Sequence, residues 1–539
     1  MRSLFPLVLL SLFCSPTFAQ SNYAVLHGLV LDPQQRAVAG ATVRLTARAT
    51  GTSRETTTNE EGVFQITGLL PGEYALVVAA TGFAPLTQTV RLEVGQQMTL
   101  ELTLQLSEVS STVDVQAQIE VLRTTDASVG EVIEPTAIAN LSLNGRLLTD
   151  LVLMVPGAHA GHGAQSGDAN PLYWRPGQRA ALTISGNRPN ANYYLLDGST
   201  NTDPTFNTPN FMPSPDAVQE FKVQTGSYSA EMGGAGGGQI NIVTRTGSNE
   251  FHGTVYNFTR NDALDARTFN EMEGAKHLVR NNFGGSLGGP IVRNKLFFFA
   301  NYEGLRHTRS ITQILTVPTE MEVMGDFSMS GTTIYNPFTT RPNPDFDPTK
   351  PVGPNNPQVI RDPFPNNVIP PELIDPTAAL FLQKYVPRPN LEMGMCDMAM
   401  TMMGAPMVVG QGMDCNNYLD VRNEQHNNDQ GTFRVDYSFS RGDTAFVRYS
   451  FGKERGFMPQ NLPGFGAFHD NLSQHGNIAW NHVFNPNLVN MASIAISRLA
   501  MHRYTESGNK NDIVGELGIR GIGFGGPGAW GAPYFQVQG

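Results

Sequence analysis

Along most of this chain hydrophobic and polar residues alternate with a period of two, the spacing of strands that have two unlike faces. In the stretch TFRVDYSFSRGDTAFVRYSFGK, Phe433, Val435, Tyr437 and Phe439 alternate with Arg434, Asp436, Ser438 and Ser440. After a short turn, Ala445, Val447, Tyr449 and Phe451 alternate with Thr444, Phe446, Arg448 and Ser450. Apolar-out, polar-in alternation over ~10 residues is the pattern of a membrane-barrel strand. A soluble sandwich alternates too, but aromatic enrichment on one face and charge on the other favour a barrel with a wet lumen. The same reading predicts strands at 253–259, 282–288, 295–302, 476–484 and 488–496. Arg441-Gly442-Asp443 is the letter sequence of an adhesion motif, yet it falls in the tight turn of the hairpin and is read as that turn.

Earlier segments show other patterns. Residues 23–106 hold short apolar stretches at 25–30, 41–45, 63–66, 74–79, 87–92 and 98–106, separated by turn signals such as Asp32-Pro33 and Pro71-Gly72. About seven strands at this spacing predict a small β-sandwich. Residues 107–130 form a polar connector in which Ser111, Thr112, Val113, Asp114 and Val115 make a short strand-prone run, open to pairing with another protein's sheet edge or to serving as plain linker. Residues 131–247 look mixed: a helix from about Asn144 to Val155, ended by Pro156-Gly157, then strands at 181–185, 193–196, 220–224 and 239–245. The glycines of YSAEMGGAGGGQI permit positive φ and close backbone approach. A phosphate loop would end in Gly-Lys-Ser or Gly-Lys-Thr, and that ending is missing.

Compartment and composition narrow the picture. Arg2, the apolar run Leu4 to Phe13 and Thr17-Phe18-Ala19 read as a secretory signal cut before Gln20. Bulky Phe13 precedes Cys14 where a lipidation site needs a small residue. No 18-residue apolar run follows, so no membrane helix is predicted. With 36 Lys and Arg against 47 Asp and Glu, the net charge of −11 is the wrong sign for a nucleic-acid partner. Only 15% of residues are charged while Gly (55) and Pro (36) are abundant, which disfavours helical bundles.

Three stretches resemble the plug of TonB-dependent outer-membrane receptors of the Oar-like branch: NGRLLTDLVLMVPGAHAG, LTISGNRPNANYYLLDGSTNTDP, and DAVQEFKVQTGSYSAEMGGAGGGQINIVTRTGSNEFHGTVYNFTRND. NNFGGSLGGPIVRNKLFFFANYEGLR is similar to the barrel of the same branch, and HGLVLDPQQRAVAGATVRL to a carboxypeptidase regulatory-like, transthyretin-type module. Ser185-Gly186 departs from the Arg-Gly of many plugs. The resemblance implies a mainly β protein: signal peptide 1–19, transthyretin/Ig-like sandwich 23–106, linker 107–130, α+β plug 131–247, and part of an antiparallel transmembrane β-barrel at 248–539. It also places the TonB-coupling segment near Ser111 to Val115. No zinc-protease signature accompanies the module, and neither catalysis nor a cofactor is implied.

The stretch 308–430 is strand-poor and rich in Pro, Asn and Asp, and is expected to be a long extracellular, ligand-facing loop. Within it, Met393, Met395, Met398, Met400, Met402 and Met403, with Met407 and Met413, cluster around Cys396 and Cys415. The favoured reading is a contact loop closed by a Cys396–Cys415 disulfide; Cu(I) capture by thioethers and plain disorder stay open beside it. His159 and His162 lie in a Gly-rich loop with no Cys nearby, too few ligands for zinc.

The expected function is uptake of a ligand (siderophore, glycan, peptide or protein) by TonB-coupled plug displacement, in contact with outer-membrane lipid. The competing class is an adhesion or surface-assembly protein anchored by the barrel. Residues 248–539 leave room for some eight to ten strands, against about 22 for a plugged barrel of this kind. An incomplete barrel, the N-terminal part of a longer receptor, is therefore expected.

Overall fold

A computed structural model describes residues 23–106, 129–133, 137–138, 143, 145–160, 182–189, 191–228, 233–267, 276–391, 417–460, 462–485, 488–522, 526–527 and 530–531. The front of the chain forms seven strands: β1 (Ala24–Leu31), β2 (Thr42–Ala47), β3 (Ser53–Thr57), β4 (Val63–Leu69), β5 (Gly72–Ala79), β6 (Leu86–Leu92) and β7 (Gln97–Thr103). They make two sheets, β4-β1-β7 and β3-β2-β5-β6. Alternate residues turn inward, so Leu26, Leu45, Phe64, Leu76, Val78 and Leu100 share one buried core. A Cβ on Gly28 would stand 2.2 Å from the Phe64 ring, so glycine there makes room for the aromatic. Strand β3, SRETT, has no apolar residue to announce it; it pairs at the sheet edge with β2, where neither face needs one.

A middle domain follows, with β8 (Val129–Ile133), a one-turn helix (Thr149–Val152), β9 (Ala158–Ala160), β10 (Leu182–Ile184), β11 (Tyr193–Leu196), β12 (Ser199–Thr200), β13 (Val218–Gly226) and β14 (Gln239–Thr244). Its main sheet runs β12-β11-β14-β13-β8, with β11 and β14 parallel. Ile133, Leu151, Val152, Ile184, Tyr194, Phe221 and Ile242 fill its core. The helix expected from Asn144 is confined to one turn. Gly145 and Arg146 both sit at positive φ (84° and 58°), outside helical space, and Gly157 turns the chain again at φ 86°. Val129 and Gly130, expected in the connector, join the sheet as part of β8.

The remaining chain builds a wall of seven antiparallel strands: β15 (His252–Asn261), β16 (Leu278–Val292), β17 (Leu296–Leu315), β20 (Tyr418–Ser438), β21 (Asp443–Met458), β22 (Ala467–Asn485) and β23 (Leu488–Thr505). All seven strands named from the alternation are present. Among the described residues the wall has seven strands, fewer than the eight to ten the length left room for, and strands of up to 21 residues consume that length. The strand-poor excursion is also shorter than 308–430. Pairing between β17 and β20 continues from Leu296↔Tyr437 to Leu315↔Tyr418, leaving 316–417 between them, with a small β18 (Arg341–Pro342) and β19 (Val359–Ile360) hairpin and a ten-residue helix, Pro376–Tyr385. The β20 segment NEQHNNDQ carries no apolar residue, yet its backbone is paired on both sides.

The two faces of the wall are opposite in character. Phe433, Val435, Tyr437, Val447, Tyr449, Ile478, Trp480, Ile494 and Ile496 point outward and are exposed, while Thr432, Arg434, Arg448, Ser450, His475 and Asn477 point inward and are buried. From Phe439 up to Asp429, which pairs outward with Arg306, β20 runs about ten residues, the length a tilted strand needs to cross a bilayer. Connections are short at one end (293–295, 439–442) and long at the other, as in bacterial barrels with short periplasmic turns. At the short turn, Asp443 accepts from His482 (2.6 Å), Ser440 (2.8 Å) and Trp480 (3.3 Å), so the Arg-Gly-Asp triplet is tied into the hairpin. Strands β15 and β23 are the two edges and do not pair with each other; the sheet is not closed.

Candidate functional site: the seam between middle domain and wall

Pairing of Leu196 with Ser199 leaves Asp197-Gly198 as a two-residue hairpin turn. Both residues lie at positive φ (49° and 76°), the geometry in which Asp-Gly is favoured. The turn presents Asp197 to the wall, where it is almost wholly buried. Its Oδ1 accepts from the Thr244 amide (2.8 Å) and from Arg434 Nη1 (3.1 Å), and its Oδ2 accepts from the Thr244 hydroxyl (2.8 Å). Arg448 Nε lies 2.6 Å from Oδ2. Arg434 also pairs with Asp436 at 2.8 Å, so the cluster has two cations and two anions. Burial alone would raise the Asp197 carboxyl, but the two guanidiniums and Thr244 outweigh it and hold it below the usual carboxylate range.

Neighbours complete the arrangement. Phe446, which with Phe297 and Phe299 is buried on the inward face, lies 4.2 Å beneath the Arg434 guanidinium, a cation–π contact. Arg448 Nη2 reaches His475 Nδ1 at 2.9 Å, and because arginine only donates, Nδ1 accepts; the proton therefore sits on Nε2, which donates to the Thr200 carbonyl at 3.1 Å. Asn477 donates to the Asp197 carbonyl at 3.3 Å.

A second cluster reverses the signs. Arg146, half-buried on its left-handed turn, donates from Nε to Glu303 of β17 (2.8 Å) and also pairs with Asp216. Tyr256 donates to Glu303 (2.6 Å), Gln430 donates at 3.2 Å, and the Tyr256 ring lies 4.3 Å from the Arg146 guanidinium carbon. Ser214 donates to Asn301 (2.7 Å), and Asn210 reaches the Gln474 carbonyl (3.3 Å) and Ser497. Ion pairs and hydrogen bonds thus run along the seam, beside a few apolar contacts such as Phe211 against the Gly452 position of β21.

The glycines of 233–238 serve close approach more than positive φ. Gly234 is at φ 95°, but a Cβ on Gly237 would meet the Ala191 carbonyl at 2.6 Å and one on Gly238 the Ile184 side chain at 2.3 Å. Where the middle domain passes into the wall, a Cβ on Gly247 would lie 2.4 Å from the Phe298 carbonyl and 2.8 Å from that of Gly289, so the chain is threaded tightly there. The front module touches the same end. Glu220 accepts from the Val94 amide (2.8 Å), and the Asn249 amide donates to the Ala49 carbonyl (2.8 Å). A cavity of about 830 Å³ lies among the three parts, lined by Arg48, Arg91, Glu220, Arg245 and Arg434 among others.

Of the residues singled out from sequence, Ser111, Thr112, Val113, Asp114, Val115, Cys396, Cys415 and the Met393–Met403 cluster lie outside the described residues, as does His162. His159 is exposed on β9. Arg434 and Arg448 were legible as polar, inward residues; Asp197 and Arg146 were read only within a turn signal and a quoted motif.

Residues 243–539, more than half of the chain, match the outer membrane beta barrel domain family. The chain belongs to that family. This outer membrane β-barrel protein also matches the carboxypeptidase regulatory-like domain over residues 25–105, in agreement with the seven-stranded front module. It is 32% identical over 325 residues to the TonB-dependent transporter Oar of Myxococcus xanthus; the match covers 56% of this chain and 29% of that protein. Among solved structures it is similar to the outer membrane transporter YddB of Escherichia coli, with a TM-score of 0.40, 11% identity, and coverage of 73% of this chain and 41% of that one. Hydroxyquinol 1,2-dioxygenase of Pseudomonas putida DLL-E4 overlaps 16% of this chain and 57% of its own at a TM-score of 0.15 and 13% identity. Neither likeness is close enough to bear on function. The barrel family places this protein in the outer membrane.

Proposed function

We propose that this chain forms the receptor half of a TonB-dependent outer-membrane transporter, with the middle domain as its plug and the front module at the periplasmic face. The observation that carries the reading is the seam. The plug keeps its own apolar core, while the ion pairs and hydrogen bonds along its contact with the wall are ones that water can replace when the plug moves. Ser111 to Val115 stand just ahead of β8, the edge strand of the plug sheet. A pull on that segment reaches β8 first, then β13 and the seam. The ligand would meet the long loops at the far end and be a siderophore, glycan, peptide or protein.

The test needs no ligand. Cysteine placed at Val113 should cross-link to the periplasmic domain of a TonB-type protein in whole cells, and deletion of 110–116 should abolish both the cross-link and energised uptake. A chain whose uptake is untouched by that deletion is not coupled in this way.

A further inference from the structure

At the short-turn end of the wall, beside the larger cavity, the front module and the turns enclose a recess of about 330 Å³. Its two sides are fastened together. Asn249 Nδ2 donates to Asn294 Oδ1 and the Asn294 amide donates to Asn249 Oδ1, both at 2.8 Å, while the Asn249 amide holds the Ala49 carbonyl of the module. The β2–β3 turn passes so close that a Cβ on Gly51 would stand 2.4 Å from Asn294 Oδ1, and one on Gly68 of β4 would stand 2.6 Å from Asn481 Nδ2.

Three cations line this recess: Arg54 of β3, Lys295 of the β16–β17 turn and Arg441 of the β20–β21 turn. Among the described residues none of the three side chains makes an ion pair, and the one acid in the lining is Glu73. Arg54 is the most telling of them. Its Nη1 is closed off from solvent and has no hydrogen-bond partner in the protein, and a guanidinium cannot shed its charge to escape burial. Burial lowers the Arg54 pKa against smaller upward pulls from Tyr74, Tyr23 and Asp443. Asp443 does not pair with it, because that carboxylate accepts from His482, Ser440 and Trp480 and lies outside the lining. A chain of net charge −11 thus gathers three cations around one recess and leaves them without a counter-charge of their own.

The same recess reaches the lipid-facing side of the wall. Phe439, the last residue of the outward apolar row that β20 carries into its turn, lines it and is exposed. Tyr437, Trp480 and Phe484 are exposed on the outward face at this end as well, an aromatic girdle of the kind that marks a membrane–water boundary. Lipid headgroups lie at that level. We propose that Arg54, Lys295 and Arg441 form a seat for the phosphate of an anionic phospholipid headgroup, whose acyl chains leave past Phe439. The arginine forks match phosphate oxygens and Lys295 adds a point charge. Because Arg54 belongs to the module and the other two to the wall, a bound phosphate ties the module to the barrel at the membrane surface. Inorganic phosphate carries the same charge but gains nothing from Phe439. The proposal rests on the membrane face of the wall and not on TonB coupling.

The probe is phosphatidylglycerol, titrated into the purified full chain in neutral detergent and counted as bound lipid by native mass spectrometry, with phosphatidylcholine and inorganic phosphate as parallel arms. One phosphatidylglycerol should be retained at concentrations where phosphatidylcholine, which carries its own compensating cation, is lost. Affinity should fall about fivefold in each of R54Q, K295Q and R441Q. It should stay unchanged in R293Q, which removes a cation from the same turn as Lys295 but outside the lining. Glu73→Gln should tighten binding, a gain that no misfolded variant produces. Equal retention of the two lipids, full affinity in R54Q, the same loss in R293Q as in R54Q, or no gain in E73Q would overturn the seat. Inorganic phosphate bound as tightly as the lipid would overturn it too, and leave a site for a soluble anion.

Discussion

The front module and the wall are written in the same period-two code and read it with opposite sign. In the module, Leu45, Phe64 and Val78 turn inward to a shared core and polar residues face water. In the wall, Phe433, Val447 and Ile478 turn outward and Arg434, Arg448 and Asn477 turn inward. Periodicity defines two faces but does not say which is enclosed. That is decided by what lies against each: a second apolar sheet for the module, and a polar middle domain for the wall, whose apolar face is left to lipid.

The contrast can be broken most sharply at Asp197. Asp197→Ala leaves two buried guanidiniums short of a partner, and losing one side of a buried pair costs about 3–5 kcal/mol. Amide exchange over 193–200 should rise accordingly while the front module stays protected; unchanged exchange would show that the cluster does not hold the seam. The same attachment has a defined pH dependence. The Asp197 carboxyl is depressed in the folded protein, so its contribution is fully present above the ordinary aspartate pKa and is lost only as pH falls through the depressed value. Protection factors at 193–200, corrected for the intrinsic pH dependence of amide exchange, should therefore hold steady from neutral pH down through the ordinary carboxylate range and fall below it.

One residue type tested on both faces sharpens the comparison next. Phe64→Ala should cost about 3–5 kcal/mol in module unfolding, since it empties a core site. Phe433→Ala, half exposed on the outer face, should shift the thermal midpoint of the detergent-solubilised protein little; equal losses would mean that the outer face is covered by protein. Val447→Lys should weaken bilayer insertion by about 2–4 kcal/mol if that residue lies near the midplane, measured as folding into lipid vesicles. On the module, Val63→Lys at an exposed position should stay within about 0.5 kcal/mol. Smallest among the seam changes is Glu303→Gln, which keeps the shape but weakens bonds from Arg146 and Tyr256 by about 1.5–3 kcal/mol in total, read as faster exchange around residue 146.

Much of this was legible in the sequence, and the parts that were not have physical reasons. Lower halves of the wall strands carry apolar residues on every second position because lipid demands them, so all seven were found. Upper halves, such as NEQHNNDQ, carry polar residues on both faces, buried Glu424, His426 and Gln430 among them; only backbone pairing makes them strands, and no side-chain pattern records it. SRETT in the module was missed for the same reason. The seam was hidden by distance: Asp197 and Arg434 are 237 residues apart, and a period along the chain says nothing about partners across space. The stacked His426 and His469 rings, 5.5 Å apart, depend on Gly456 in the strand between them, a signal visible only once register is known.

Tight threading at Gly247 fixes where the middle domain is hung. Arg245 to Phe251 is the stretch of chain that leads from its last strand into the first strand of the wall, and a carbonyl on either side leaves no room there for a side chain. On the plug reading proposed above, this short stretch is a jamb on which the domain is hung, and any displacement would take the crowded backbone at Gly247 as its fixed post.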